Sequence, residues 1–134
     1  MPGGLDTEHF RLRMLSVRDV LDDFEAIRER VEPDGTLRGA PGLTLEQNLV
    51  DLGWHQKEFQ LRRSFAYTVV APGDRRVLGC AYIYPTDEPG FDARAHCWVR
   101  QNAFELDRPL FEAFRDWLER DWPFTRVAYP GRDA

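Results

Sequence analysis

The chain has 134 residues, an apolar fraction of 43% and a net charge of −5, which together predict a single globular domain. Acidic residues outnumber basic ones by 23 to 18, and this balance argues against a general affinity for DNA or RNA. The sequence has no run of 18 apolar residues and no basic, apolar leader, so we expect a cytoplasmic protein without a membrane span. Two cysteines are too few for a disulfide framework or a zinc site.

The first third of the chain predicts a strand followed by a helix. Residues 1–8 are expected to form a loose lead-in. Apolar and arginine residues alternate over residues 9–16, which is the period of a half-buried strand. Ser16 suits a helix cap, and apolar residues then recur at three- and four-residue steps, so a helix is predicted over residues 17–31.

A second helical region follows a loop rich in glycine and proline over residues 32–43. Thr44 and Gln47 have the spacing of a capping box, in which each side chain bonds the other residue's backbone. Because Gly53 interrupts the pattern, we expect one kinked helix or two short ones over residues 45–62.

The middle of the chain predicts a β-hairpin, with strands at residues 65–71 and 76–84 joined by the turn Pro72-Gly-Asp74. The second strand has apolar residues on both faces and is therefore expected to be central in the sheet. Its expected faces are Val77, Ala81 and Ile83 on one side and Leu78, Tyr82 and Tyr84 on the other.

A third strand over residues 93–100 is predicted to return antiparallel to residues 76–84. If the connection is centred on residues 88–89, Cys80 and Cys97 face each other across the hairpin. A redox pair and two buried thiols are then the alternatives, and a reducing cytoplasm favours the thiols.

The last part of the chain predicts a helix and a short strand. Asp107 is the expected cap, Pro109 suits the first turn, and the helix is expected to end at Trp122. A strand is predicted over residues 124–129, followed by a tail at 130–134. A strand–helix–strand unit of this length is normally a right-handed parallel crossover, so the predicted order is β-α-α-β-β-β-α-β in a mixed sheet.

Three segments follow one another in a known order: Val77-Leu-Gly-Cys-Ala-Tyr-Ile-Tyr84, Trp98-Val-Arg100 and Leu110-Phe-Glu-Ala-Phe-Arg-Asp-Trp-Leu118. In order and pattern, the chain resembles the GNAT superfamily of N-acetyltransferases over roughly residues 10–129. The resemblance implies an α/β (α+β) fold with a mixed, mostly antiparallel sheet and helices on both faces. It also implies that acetyl-CoA is the co-substrate and that an amine is acylated.

Two features depart from the pattern of this superfamily. Its loop after the fourth strand carries two glycines that let backbone N–H groups approach a pyrophosphate at the helix start. Here Ala103 and Glu105 occupy those positions, and the charge of Glu105 has the same sign as the pyrophosphate. The family also usually continues beyond its fifth strand, whereas this chain stops at Ala134, so we expect a divergent and C-terminally short relative.

The resemblance implies a set of coenzyme-binding residues, namely Trp98, Val99, Arg100, Asn102, Ala103 and Phe104. Arg100 is a candidate bidentate phosphate donor, and the alternative is an exposed arginine at a strand end. Backbone N–H groups of residues 102–104 would face the anion, unless this is an ordinary loop. Val99 would offer backbone groups to the pantetheine arm of coenzyme A.

Two side chains are candidates for the catalytic base. His96 is suited to proton transfer near neutral pH, and the alternative is a half-buried, hydrogen-bonded histidine. Glu105 is a second candidate, and the alternative is an ordinary surface carboxylate.

Two functions follow from these patterns. The first is a GNAT-like N-acyltransferase that uses acetyl-CoA and an amine acceptor not specified by the sequence. The second is a non-catalytic GNAT-fold binding or assembly module that has lost the pyrophosphate loop, in which a free sheet edge would favour a homodimer. Neither function predicts a nucleic-acid or membrane partner.

Overall fold

A computed structural model describes residues 2–73 and 76–132 of the protein. Asp74 of the predicted turn, Met1 of the predicted lead-in, and the last two residues of the predicted tail lie outside the described residues. The strands are β1 (Gly4–Asp6), β2 (Arg11–Met14), β3 (Phe65–Val70), β4 (Val77–Tyr84), β5 (Ala93–Val99) and β6 (Val127–Ala128). The α-helices are α1 (Val20–Arg28), α2 (Leu45–Gln60) and α3 (Asp107–Asp121), and 3-10 turns occupy Val17–Asp19 and Gln101–Leu106.

The six strands form one sheet in the order β1-β2-β3-β4-β5-β6. Neighbouring strands are antiparallel except β5 and β6, which are parallel. Ala26 of α1 and Leu52 of α2 pack on one face of the sheet, while α3 buries its apolar stripe on the other. The predicted mixed sheet with helices on both faces, and the predicted order of elements, are confirmed.

The expected loose lead-in is wrong, because Gly4–Asp6 pairs with Arg11–Arg13 as strand β1. The hydroxyl of Thr7 accepts hydrogen bonds from the backbone N–H groups of His9 and Phe10 and so holds the turn between the strands. A Cβ atom at Gly4 would lie 2.4 Å from the carbonyl oxygen of Leu12, so this close approach needs glycine.

Capping residues mark where the helical segments on the α1 and α2 side of the sheet begin. Ser16 accepts a hydrogen bond from the backbone of Arg18, as its predicted cap role requires. Thr44 and Gln47 form the predicted capping box, and α2 runs as one helix through Gly53. In the described part of the chain, no helix is both long enough and apolar enough to cross a membrane.

A β-bulge changes the predicted faces of β4. Val69 pairs with Gly79 and Val70 with Val77, so Leu78 is the extra residue. Val77 therefore packs on the α1 and α2 side and Leu78 on the α3 side, and the prediction exchanged these two residues. The central position of β4, with both faces covered, is confirmed.

The predicted pairing of the two cysteines is wrong by one residue. Cys97 lies opposite Ala81, and Cys80 lies opposite Trp98. Cys80 packs on the α1 and α2 side while Cys97 packs on the α3 side, so the thiols point to opposite faces of the sheet. Burial raises the pKa of Cys97 to about 12 and that of Cys80 well above its ordinary value, as expected for inert thiols rather than a redox pair.

Candidate functional site

The sheet is open where β5 and β6 separate. These parallel strands pair only at Ala93 with Val127 and at Arg94 with Ala128, whereas β5 continues to Val99. Beyond the paired residues lies a cleft of about 490 Å³, which we call the central cleft. Its lining includes Arg30, Arg38, Arg94, His96, Cys97 and Arg132.

Two further cavities adjoin the central cleft. The helix-start cavity, of about 440 Å³, lies at the beginning of α3 and is lined by Phe104, Glu105 and Arg108. It shares Pro33, Gly131 and Arg132 with the central cleft. The α2-side cavity, of about 640 Å³, includes Ile27, Asn48 and Asp51 and shares Arg30 and Arg38 with the central cleft. Because neighbouring spaces share lining residues, the three cavities adjoin one another along a path from the start of α3, past the edge of β5, to the α1 and α2 side.

The backbone of β5 provides hydrogen-bonding groups along this path. Arg100 donates its backbone N–H to Leu78 on β4, and backbone direction alternates along an antiparallel strand. Cys97 and Val99 therefore direct their backbone groups away from β4. The carbonyl oxygen of Val99 accepts the N–H of Val31 at 3.1 Å, so the protein's own chain covers the end of this edge. Cys97, whose backbone groups point away from β4, lines the central cleft together with Arg94 and His96 of the same strand.

Arg100 is buried, with 2% of its surface exposed, and is not the exposed arginine that the alternative interpretation expected. Its guanidinium donates to Glu25 at 2.8 Å, to Glu29, and to the carbonyl oxygen of Val77 at 3.3 Å. The Arg100 guanidinium holds the pKa of Glu25 below its ordinary value. A phosphate contact by Arg100 stays a prediction, and it would require the phosphate to replace these carboxylates.

The loop after β5 forms the 3-10 turn Gln101–Leu106. Ala103 is buried, and its backbone N–H bonds the carbonyl oxygen of Arg100 at 3.0 Å. Asn102, Phe104 and Glu105 are exposed, and of these three Phe104 and Glu105 line the helix-start cavity. The predicted coenzyme residues are therefore adjacent in space, but only part of the set faces a cavity.

Asp107 is not the cap of α3, as the sequence predicted, but its first residue, and the capping position is Leu106. The Asp107 carboxylate instead accepts two hydrogen bonds from Arg132, at 2.7 and 2.9 Å. Their side chains are only 6% and 7% exposed. This ion pair joins the chain after β6 to the start of α3, at the junction of the helix-start cavity and the central cleft.

His96 lies half-buried in the central cleft and packs against the rings of both Tyr82 and Tyr84, at centroid distances of 4.7 and 5.6 Å. Burial, followed by the charges of Arg30, Arg94 and Arg38, lowers the pKa of His96 from 6.5 to about 4. His96 is therefore neutral at pH 7. Glu105 lines a different cavity, so the fold does not bring the two candidate bases together.

Trp98 lies on the same face of β5 as His96 and is 2% exposed. Its indole N–H donates to the hydroxyl of Tyr82 at 3.1 Å. The guanidinium of Arg30 stacks over the indole ring at 5.6 Å. Trp98 therefore packs beneath Arg30 and Tyr82 and helps to fix the positions of these two side chains.

Solved structures of acetyltransferases share this architecture. A Bordetella pertussis protein assigned to the GnaT family of acetyltransferases matches with a TM-score of 0.71 and 21% identity, over 96% of this chain and 78% of that one. The chain has the GNAT fold. The ribosomal-protein-S5-alanine acetyltransferase from Vibrio fischeri matches the same fold with a TM-score of 0.67 and 13% identity, over 94% of this chain and 72% of that one.

A third structure with the GNAT fold contains ligands. The microcin C7 self-immunity acetyltransferase MccE, in complex with acetyl-CoA and AMP, matches with a TM-score of 0.61 and 8% identity, over 89% of this chain and 66% of that one. No protein-family model and no curated protein matches the sequence. At these identities the structural likeness shows the GNAT fold alone.

The site contains arginines that the sequence patterns did not single out. Arg30 and Arg38 come from the segment after α1, and Arg132 follows β6. No motif marks them, because their approach to β5 depends on pairing between distant segments. The only local signal is the turn Pro33-Asp-Gly35, which allows the chain to fold back after α1.

Proposed function

We propose that the protein transfers an acetyl group from acetyl-CoA to an amine. The observation that carries this proposal is the row of three adjoining cavities from the start of α3, through the central cleft, to the α1 and α2 side. A two-substrate transfer needs two entrances that meet at one point, and the two outer cavities are the proposed entrances to the central cleft. The acetyl-CoA complex of MccE supports the same use of the GNAT fold.

Coenzyme A would enter from the helix-start cavity. The positive end of α3 and the guanidinium of Arg108 favour phosphate there, in place of the glycine loop. The pantetheine arm would then lie along the central cleft and bond the backbone at Cys97, since Val99 already accepts a hydrogen bond from Val31.

The amine would reach the thioester from the α2-side cavity. Its nitrogen attacks the thioester carbonyl, a C–N bond forms, the C–S bond breaks, and coenzyme A leaves as the thiolate. His96, neutral at pH 7, is the proposed acceptor of the amine proton, and Glu105 stays an alternative at the other end of the path.

Calorimetry with acetyl-CoA, together with an assay of thiol release, tests the proposal. We expect micromolar binding to the wild type and at least fivefold weaker binding to Arg108→Glu, because the substitution reverses a charge beside the phosphates. Arg120→Glu is the matched control, since it makes the same charge change near the other end of α3, where Arg120 is exposed. The absence of binding at millimolar acetyl-CoA would reject the transferase.

A second candidate is the non-catalytic module. Two observations favour this candidate. Residues 29–31 cover the edge of β5, and Arg100 is buried against Glu25 and Glu29. Both arrangements fill positions that coenzyme A would otherwise use. This candidate predicts no coenzyme binding in calorimetry, and light scattering tests the homodimer that accompanies it.

A further inference from the structure

Arg38 and Arg30 lie directly opposite each other on two paired segments. Val31 and Leu37 form an antiparallel bridge, and the backbone N–H of Arg38 donates to the carbonyl oxygen of Arg30 at 2.8 Å. On its other side, Arg30 forms an antiparallel bridge with Arg100. Three arginines therefore occupy neighbouring positions across the strand direction, an arrangement that is destabilising unless other charges compensate it.

The positive charges of Arg30, Arg38 and Arg100, which we call the arginine row, are not compensated equally. Arg100 is matched by Glu25 of α1 and by Glu29, which directly follows α1. Arg38 has one carboxylate, that of Glu32, at 3.6 Å, and both of these side chains are about half exposed. Within residues 2–73 and 76–132, Arg30 forms no ion pair, and its guanidinium packs over Trp98 instead. A chain with a net charge of −5 thus leaves positive charge uncompensated at this point.

A further arginine adds to the same positive region. Arg94 lines the central cleft with Arg30 and Arg38, and in the described part of the chain it stacks on Tyr84 without an ion pair. Among residues 2–73 and 76–132, Glu32 is the only one that contributes a carboxylate to the lining of the cleft. The lowered pKa of His96 is consistent with this positive environment.

The position of the two arginines shows which ligand they face. Arg30 and Arg38 line both the central cleft and the α2-side cavity, which is the proposed entrance for the amine. The proposed phosphate end of coenzyme A lies in the helix-start cavity, whose lining includes neither residue. An anionic group on the acceptor would therefore meet the planar guanidinium donors of these two arginines.

We infer that the acceptor is a small amine carrying a carboxylate or a phosphate, bound by Arg30 and Arg38 with its nitrogen towards His96. This inference rests on the proposed transferase function. It assigns Arg30 and Arg38 to substrate specificity, and Arg94 adds to the positive field at the mouth of the cleft.

Matched acceptors test the inference in an assay of thiol release from acetyl-CoA. O-phosphoethanolamine is compared with ethanolamine, and β-alanine with β-alaninamide, which also distinguishes phosphate from carboxylate. We expect kcat/KM to be at least about tenfold higher for the anionic member of one pair. Arg30→Gln and Arg38→Gln should reduce this preference, while the exposed Arg120→Gln should leave it unchanged. Equal use of charged and neutral amines would overturn the inference and leave the transferase intact.

A binding experiment separates this inference from the proposed function. Calorimetry with O-phosphoethanolamine and β-alanine, without acetyl-CoA, reports the anion site directly. Binding of either ligand that is lost in Arg30→Gln and kept in Arg120→Gln supports the site, even if no amine is acetylated and the transferase fails. Binding that is unaffected by Arg30→Gln and Arg38→Gln, or that coenzyme A displaces competitively, overturns it.

Discussion

The environment of His96 predicts a specific loss of stability in acid. Its pKa is about 4 in the folded protein, against an ordinary value of 6.5 that applies when the chain is unfolded. Between these values the unfolded chain binds a proton that the folded protein does not, so stability is lost as the pH falls from 6.5 towards 4. A difference of about 2.5 pKa units corresponds to roughly 3 kcal/mol at pH 4.

The His96→Phe substitution isolates this effect, because phenylalanine keeps an aromatic ring against Tyr82 and Tyr84 and does not titrate. Urea unfolding of both proteins is followed by tryptophan fluorescence at pH 7, 6, 5 and 4. Carboxylates titrate in both proteins, so their contribution cancels in the difference of unfolding free energy. We expect that difference to shift in favour of the variant by about 3 kcal/mol between pH 7 and pH 4.

The outcome that would refute this reasoning is a difference that stays constant within about 1 kcal/mol over the same range. Such a result would mean that water or a carboxylate stabilises the imidazolium in the fold. An NMR titration of the His96 ring in the wild type measures the same pKa directly. A value near 6.5 would show that burial and the neighbouring arginines do not together lower the pKa of His96.

Two substitutions test the packing that forms the site. Gly79→Ala should lower the unfolding free energy by about 3 kcal/mol, since its Cβ would lie 1.9 Å from the carbonyl oxygen of Trp98. The control is Gly53→Ala, which should be neutral or stabilising because the added atom meets only an ordinary contact at 3.9 Å. Equal effects of the two substitutions would contradict the close approach at Gly79. Asp107→Asn should also cost about 3 kcal/mol in urea unfolding, because it leaves the buried charge of Arg132 without its carboxylate, whereas a loss below 1 kcal/mol would show that the pair is solvated.

Features encoded within a few residues were predictable from the sequence. The Thr44 and Gln47 capping box depends on atoms three residues apart, and both of its hydrogen bonds form as expected. The central position of β4 followed from apolar residues on both of its faces. Such signals do not depend on how distant segments pair, and they were sufficient for the order of elements and for the GNAT fold.

Features that depend on pairing between segments were not predictable in the same way. Because of the bulge at Leu78, Val77 and Leu78 lie on the opposite faces of β4 from those predicted. The register of β4 and β5 differs from the predicted one by one residue, so Cys80 and Cys97 do not lie opposite each other. The position of Arg30 depends on the folding of the segment after α1 against the end of β5. The sequence pattern identifies Arg100, but its carboxylate partners lie in α1 and directly after it, more than 70 residues earlier in the chain.

The arginine row and His96 together give the proposed site a dependence on the charge of its substrate. Arg100 is neutralised by Glu25 and Glu29, so the positive charges that act on His96 are those of Arg30, Arg38 and Arg94. With a pKa of about 4, His96 is a weak base at pH 7. An anionic acceptor bound to Arg30 and Arg38 would offset their charge and raise the pKa of His96 towards neutrality. The anionic group that selects the substrate would thereby also make His96 a stronger base for the proton of the amine. A neutral amine would leave His96 a weak base.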